Sequence, residues 1–306
     1  VDAAARQARG ATGLGAGLIT RGGRPARAGP LVSRTLADVQ GFGAERVGFV
    51  PCGTLRLLAD PTAAPPPGAV AVNPRDVAPG LNLPEGAAGL WWEDEGYLQP
   101  PLLAAAYLGE AQDRGVQVKW ETPVSTVDLG DSAEWGAPEV RGVRLADGSM
   151  VECQYVIDAS GCLAGRIGSQ VEDLHTILPF APTRSHYWTV DCGLTPLPNV
   201  MCQTRGFYLR PAGEGKIVVG IRESDSLTAA VSELHTDIYE AHSVAKATPG
   251  GEEALGAALP ALGELLGVTK SSFHSYTAGW STYTPDRLPV VGEVIPGTCY
   301  VAASGC

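Results

Sequence analysis

Ala278-Gly279-Trp280-Ser281-Thr282-Tyr283-Thr284-Pro285-Asp286-Arg287-Leu288-Pro289-Val290-Val291-Gly292 sets two prolines ahead of a glycine at the end of an aromatic, polar run. Pro285 and Pro289 fix a turn, because each ring locks φ and removes an N–H. Gly292 has no Cβ and lets the backbone come close to another group. Alone, the run has two readings: an ordinary Pro-Asp turn between strands, or a surface of main-chain donors held beside a ligand.

The segments upstream bear on that choice. Tyr155-Val156-Ile157-Asp158-Ala159-Ser160-Gly161 reads as a buried strand running into a tight turn. Before it, Val140 to Leu145, a turn at Asp147-Gly148, and Met150 to Val151 form a hairpin. Earlier still, Leu102, Leu103, Ala106, Tyr107 and Ala111 recur at helical spacing after Pro100-Pro101, and Gly115 closes the helix ahead of a strand from Val116 to Trp120. Leu36 to Val47 has a weak helical pattern. Gly48 to Leu58 reads as a strand pair broken at Pro51-Cys52-Gly53, Pro61 to Gly68 is a surface linker, and Trp91 to Gly96 is a turn. From residue 170 to 276 apolar and aromatic segments alternate with polar connections, and Leu255, Leu259, Leu262 and Leu266 mark an amphipathic helix. This region reads as an antiparallel sheet with helices packed on one side.

Near the start, Gly13-Leu14-Gly15-Ala16-Gly17 invites comparison with a dinucleotide-binding fingerprint, but such a fingerprint follows a hydrophobic strand and opens a helix. Asp2 to Ala11 is polar and alanine-rich, and Arg21-Gly22-Gly23 breaks a helix. A better fit takes Val1-Asp2 as the end of the second strand of such a fold, where an acidic side chain binds the adenosine ribose about 20 residues after the glycine turn. A surface loop rich in glycine is the other reading of the same residues.

Taken in order, Asp2 with Gly10-Ala11-Thr12-Gly13-Leu14-Gly15-Ala16-Gly17, the helix, strand and Val124 before Val156 to Gly161, and the Thr-Pro-Asp-x-x-Pro-x-x-Gly run at 284–292 resemble one family. It is that of the D-amino-acid oxidase, glycine oxidase and sarcosine oxidase type, which are FAD-dependent oxidoreductases. The resemblance implies an α/β fold in which an incomplete FAD-binding Rossmann-like domain (1–35, 98–168 and 277–306) is interleaved with an α+β antiparallel-sheet substrate domain (36–97 and 169–276). It implies noncovalent FAD near Asp2, Thr12, Gly13, Ala16, Gly17, Val124, Ala159, Gly161, Pro285, Asp286 and Gly292. Pro285 to Gly292 would present main-chain donors to the oxygen-bearing edge of the flavin.

The sequence departs from that family in three places. The glycine turn that opens the first strand and clamps the FAD pyrophosphate at a helix N-terminus is expected upstream of Val1. The family's Gly-His-Gly-x-x-Gly and flavin-contacting helix follow the last strand, whereas this sequence stops at Ser304-Gly305-Cys306, so the chain reads as cut at both ends. Where amino-acid oxidases of the family carry an Arg to grip a substrate carboxylate, this chain has Gly279-Trp280-Ser281. Arg210 or Arg222 could take its place or be solvent-exposed strand arginines, and His274, Tyr276, Tyr208 and Arg210 are the pocket candidates. Relatives with covalent flavin use a cysteine shortly before the Thr-Pro-Asp run, and none stands between Cys202 and Cys299.

Composition narrows the remaining classes. With 306 residues and 44% hydrophobic content the chain can bury a full core. Its 22 basic and 33 acidic residues give a net charge of -11, which repels nucleic-acid phosphates. No stretch has the apolar length of a membrane span, and no secretory signal is visible. The seven cysteines (52, 153, 162, 192, 202, 299 and 306) lack C-x-x-C spacing, which favours reduced thiols in the cytoplasm or an organelle matrix. The five histidines (175, 186, 235, 242 and 274) show no ligand spacing, so no metal is expected.

Two functions stay open on the sequence. One is an enzyme that takes a hydride from the carbon beside a substrate nitrogen, giving an imine from an amine or amino acid. The other is a degenerate relative without FAD, acting as a scaffold or assembly subunit with a protein partner.

Overall fold

Alternating side chains send successive residues of a strand to opposite faces, and in this chain that alternation builds an eight-stranded sheet with two chemically distinct sides. The computed structural model describes residues 1–21, 25–131, 138–164, 167, 181–194, 196–222 and 249–304. The sheet runs in the order Phe273–Tyr283, Ala181–Asp191, Lys216–Arg222, Phe207–Pro211, Asn199–Cys202, Thr54–Leu57, Gly89–Trp92 and Val70–Val72. All its neighbours are antiparallel except Asn199–Cys202 beside Thr54–Leu57, which run parallel.

One side carries Trp188, Val190, Phe207, Leu209, Ile217, Val219, Ile221, Tyr276 and Ala278, packed against Leu255, Ala258, Leu262, Leu265 and Leu266 of the helix Pro249–Leu266. Leu209 and Leu262 are wholly buried, so truncating either to alanine should cost about 2–5 kcal/mol. The helix expected from Leu255, Leu259, Leu262 and Leu266 is therefore the lid of this core. The opposite side carries Tyr187, Tyr208, Arg210, Thr54 and Asn199, as the inward positions of their neighbours require.

Two smaller sheets share a second core of Val127, Val140, Val143, Leu145, Val156 and Tyr300. Val124–Asp131, Pro138–Leu145 and Met150–Glu152 form an antiparallel meander, which contains the expected hairpin. Tyr300–Ser304 pairs antiparallel with Val290–Glu293 and parallel with Val156–Asp158. A two-stranded pair, Leu18–Ile19 with Gly96–Tyr97, ties the early chain to the large sheet. The helices Gly29–Phe42 and Pro100–Asp113 close over it through Val39, Val47, Leu98 and Ala106. The result is the mixed α/β architecture expected from the sequence.

Two local expectations need correction. Val116 to Trp120 is not a strand; it meets residues 2–4 through isolated bonds (Asp2 N to Lys119 O, Glu121 N to Ala4 O) that build no ladder. Val156–Asp158 is buried on one face only, since Ile157 is 70% exposed. The strand Phe273–Tyr283 pairs with Ala181–Asp191 along almost its whole length. Among the described residues no helix is long and apolar enough to cross a membrane.

Candidate functional site

The glycine loop and the Thr-Pro-Asp run meet at the strand Phe273–Tyr283. Helix Ala11–Leu14 lies against that strand, and a Cβ added to Gly279 would stand 3.1 Å from the Leu14 Cβ. The turn Gly161–Leu163 packs on the same strand and on Tyr300–Ser304.

Not all of the predicted glycines do the same work. Gly13 and Gly17 are required by the chain's own packing: an added Cβ would stand 1.7 Å from the Ala8 carbonyl oxygen and 2.0 Å from that of Leu98. Gly161 and Gly292 are different, because an added Cβ would meet nothing within 4 Å. These are the positions where open space adjoins bare backbone. Ala16 is buried, and Thr12 is exposed on the helix Ala11–Leu14.

At the Thr-Pro-Asp run the turn closes on itself. Asp286 Oδ1 accepts the Leu288 N–H at 3.1 Å, the Thr284 hydroxyl lies 2.7 Å from the Leu288 carbonyl oxygen, and Arg287 takes a φ of 59°. The Leu288 N–H, helped by the Thr284 hydroxyl and by Arg27, holds the Asp286 carboxyl below its usual range. Arg27 Nη2 reaches Asp286 Oδ2 at 3.2 Å. Pro285 starts this turn, whose form leaves the following strand Val290–Glu293 to carry Gly292.

The rest of the predicted cofactor set is held by local bonds in two separate segments. Thr122 N donates to Asp2 O at 2.8 Å, two residues before Val124 opens its strand. Asp2 Oδ1 accepts the Ala4 N–H at 2.8 Å. Beyond Val156–Asp158, Asp158 Oδ1 accepts from Ser160 N and Oγ (3.0 and 2.5 Å), and Asp158 Oδ2 accepts from the buried Tyr300 hydroxyl at 3.0 Å. Burial, reinforced by Asp158, pushes the Tyr300 phenol up. These bonds fix the turn through Ala159 and hold Gly161 at φ 66°.

The pocket candidates separate. Tyr208 and Arg210 lie on the sheet face turned away from the helix Pro249–Leu266. The Tyr208 ring occupies the space over Gly220, where a Cβ would come within 1.9 Å of Tyr208 Cζ. Burial pushes the Tyr208 phenol up, with Tyr187 and Tyr283 adding to it. Arg210 is lowered by burial, its Nη1 donates to Pro211 O at 2.8 Å, and among the described residues it makes no ion pair. Tyr276 instead faces the helix, with its hydroxyl 2.6 Å from His186 Nδ1. His274 is exposed at the end of the sheet, 2.5 Å from Asp191 Oδ2. The Arg222 side chain, His175, His235, His242 and Cys306 lie outside the described residues.

Sequence reasoning missed Tyr97, whose ring lies under the Arg210 guanidinium with 4.7 Å from Cζ to the ring centroid. It also missed Asn199 and Glu95, both wholly buried. No motif marks them; the only signal for Glu95 is a carboxylate within the apolar frame Trp91 to Tyr97. The six described cysteines are free, and burial raises the thiols of Cys52 and Cys162, the latter to about 11, which makes them poor nucleophiles. Among the described residues no group of His, Cys, Asp and Glu could hold a metal ion.

The profile of the family described as DAO, FAD dependent oxidoreductase, matches residues 1–306. Among curated proteins, the tRNA 5-methylaminomethyl-2-thiouridine biosynthesis bifunctional protein MnmC of Azoarcus sp. (strain BH72) is 27% identical over 96% of this chain and 45% of its own length. The mitochondrial dimethylglycine dehydrogenase of Rattus norvegicus is 24% identical over 71% of this chain and 25% of its own. The chain thus spans less than half the length of these relatives. Among solved structures, glycine oxidase from Geobacillus kaustophilus superposes with a TM-score of 0.69 at 18% identity, covering 97% of this chain and 79% of that one. The L-amino acid deaminase of Proteus vulgaris gives 0.70 at 13% identity, covering 97% and 81%. These likenesses establish a shared fold.

Proposed function

The chain belongs to the DAO family of FAD-dependent oxidoreductases, and from that premise we propose that it oxidises the C–N bond of a carboxylate-bearing amine to an imine. Its cofactor is FAD, and the residues present suit it. Asp2 beside Val124 would take the adenosine end, the bare backbone at Gly161 the middle, and the Thr284 to Gly292 run the flavin. When bound, the flavin supplies the hydride acceptor, which no protein side chain can be. The absence of a cysteine between Cys202 and Cys299 supports noncovalent attachment.

The observation that carries the substrate reading is Arg210. Desolvating a guanidinium without a partner is costly, and Arg210 sits largely buried over Tyr97 with no carboxylate of the described residues beside it. A substrate carboxylate completes it in bidentate fashion. Tyr208, Tyr187 and Tyr283 stand close by on the same face and exclude water from the bound amine. The chain's contribution is therefore orientation: it fixes the carboxylate and leaves the adjacent C–H to be aligned.

A second reading draws on the match to the Azoarcus protein, whose name specifies a methylaminomethyl group on tRNA. In that reading the oxidised amine is carried by RNA. The net charge of -11 opposes it.

The test is a visible absorbance spectrum of the full-length protein, followed by anaerobic bleaching with N-substituted glycines, with the same amines lacking the carboxylate, and with tRNA. Flavin bands bleached only by the carboxylate-bearing amines are expected. Bleaching by tRNA alone would select the second reading. A colourless protein that refuses FAD would leave the scaffold alternative.

A further inference from the structure

Four buried side-chain atoms among the described residues lack a hydrogen-bond partner: Trp92 Nε1, Glu95 Oε2, Asn199 Oδ1 and Arg210 Nε. Three of the residues, Trp92, Asn199 and Arg210, stand on one face of the sheet, and Glu95 joins them through Thr54. Val200 pairs with Leu209, and both point into the core under the helix; their neighbours Asn199 and Arg210 therefore stand side by side on the other face. Asn199 pairs with Thr54, which pairs with Trp92 on the next strand. Asn199 Nδ2 donates to Thr54 Oγ1 at 3.4 Å, and Thr54 in turn bonds the Glu95 carboxylate. One row thus crosses four strands from Arg210 to Trp92, with Glu95 at its far end.

The chemistry of the row selects its occupant. Two of the four atoms are donors (Trp92 Nε1, Arg210 Nε) and two are acceptors (Glu95 Oε2, Asn199 Oδ1). A cation would face two N–H groups, and an anion would face two oxygens. Water accepts from one kind and donates to the other, and a buried water takes about three such partners. Leaving four buried polar atoms without partners forfeits the hydrogen bonds they made to water in the unfolded chain.

We propose that buried water fills this seam and joins Asn199 to Arg210 Nε, making Asn199 a positioning residue that sets the guanidinium plane for the substrate carboxylate. The second half of this statement rests on the substrate reading of Arg210 given above. Among the described residues the guanidinium is held by the Tyr97 face and the Pro211 carbonyl, contacts about which it can still rotate; a further bond at Nε fixes its plane.

Two experiments test it on the FAD-loaded full-length protein. A crystal structure should contain ordered water within hydrogen-bond distance of Asn199 Oδ1 and Arg210 Nε, and a dry seam would overturn the proposal. Asn199→Leu, together with the milder Asn199→Thr in case the first fails to fold, should raise KM for a carboxylate-bearing amine about tenfold. It should leave kcat within about twofold and KM for the descarboxy amine unchanged. Equal effects on both amines, or none, would overturn the positioning role. Arg210→Met is the control: if it leaves the carboxylate preference intact, the substrate reading itself fails, whatever Asn199 does. If it abolishes that preference while the Asn199 variants keep it, only the seam's role fails.

Discussion

Arg210 and Tyr97 join two separate sheets: the guanidinium carbon of Arg210, in Phe207–Pro211, lies 4.7 Å from the centroid of the Tyr97 ring, in the pair formed by Gly96–Tyr97 with Leu18–Ile19. The contact links the sheet face that carries Tyr208 and Arg210 to the segment paired with the strand leaving the glycine loop. A cation over an aromatic face is stabilised by about 0.5–2 kcal/mol, more when desolvated. Tyr97→Phe keeps the face, so KM for a carboxylate-bearing amine should stay near wild type, whereas Tyr97→Leu should raise it several-fold. Steady-state kinetics with one such amine decides. An equal loss in both variants would assign the work to the phenol hydroxyl instead.

Glu95 is wholly buried, and burial raises its pKa above the ordinary 4.5 despite bonds from Thr20, the Arg21 N–H and Thr54. A raised carboxyl pKa means that the native state holds the proton more tightly than the unfolded chain. Its contribution to stability therefore grows as pH falls through the folded value and levels off below 4.5. Asp94 still pairs with Arg21 at 2.9 Å, so Glu95→Gln should be as stable as wild type, or more so, at neutral pH. Wild type should gain on the variant as the solution is acidified towards pH 4.5. Thermal melts of both across that range check the sign, and a variant that loses stability mainly at high pH would show that the Arg21 pairing outweighs burial.

Gly17 and Gly10 lie in one loop but should respond differently to a methyl group. Gly17 has φ 76° and would drive a Cβ to 2.0 Å from the Leu98 carbonyl oxygen, while Gly10 has free space. The left-handed backbone alone costs about 1–2 kcal/mol for an L-residue, and the overlap adds to that. Gly17→Ala should shift the denaturant midpoint clearly downwards, while Gly10→Ala stays within about 0.5 kcal/mol of wild type. Neutral behaviour of Gly17→Ala would mean that the loop does not rest on Leu98.

What the sequence disclosed follows the range of the forces involved. The helix at Pro100–Asp113, its stop at Gly115, the hairpin at Asp147-Gly148 and the Thr284 to Gly292 turn rest on local rules of capping, turn chemistry and ring geometry, and they were legible. Val116-Gln117-Val118-Lys119-Trp120 alternates apolar and polar residues as a strand does, but a strand needs a partner, and residues 2–4 offer only isolated bonds. The pocket divided for a similar reason. Tyr276 and Tyr208 are both aromatic residues in strands, and only the packing of the helix Pro249–Leu266 decides which of them faces away from the core. Asn199, Tyr97 and Glu95 come together through pairings between segments far apart in the chain, and no local pattern announces such a row.

Gly292 separates the needs of the fold from those of a ligand. It lies in Val290–Glu293, pairs with Ala302, and has no atom within 4 Å of where a Cβ would be. Gly292→Ala should therefore leave the melting temperature of the FAD-free protein unchanged. If the backbone there approaches the flavin, the methyl group enters space that the flavin needs, and FAD affinity should drop about tenfold, or about 1.4 kcal/mol. Titration of the FAD-free variant with FAD, followed by protein fluorescence, measures this without any turnover. Unchanged affinity would remove Gly292 from the cofactor site and leave the Thr-Pro-Asp turn as a feature of the fold alone.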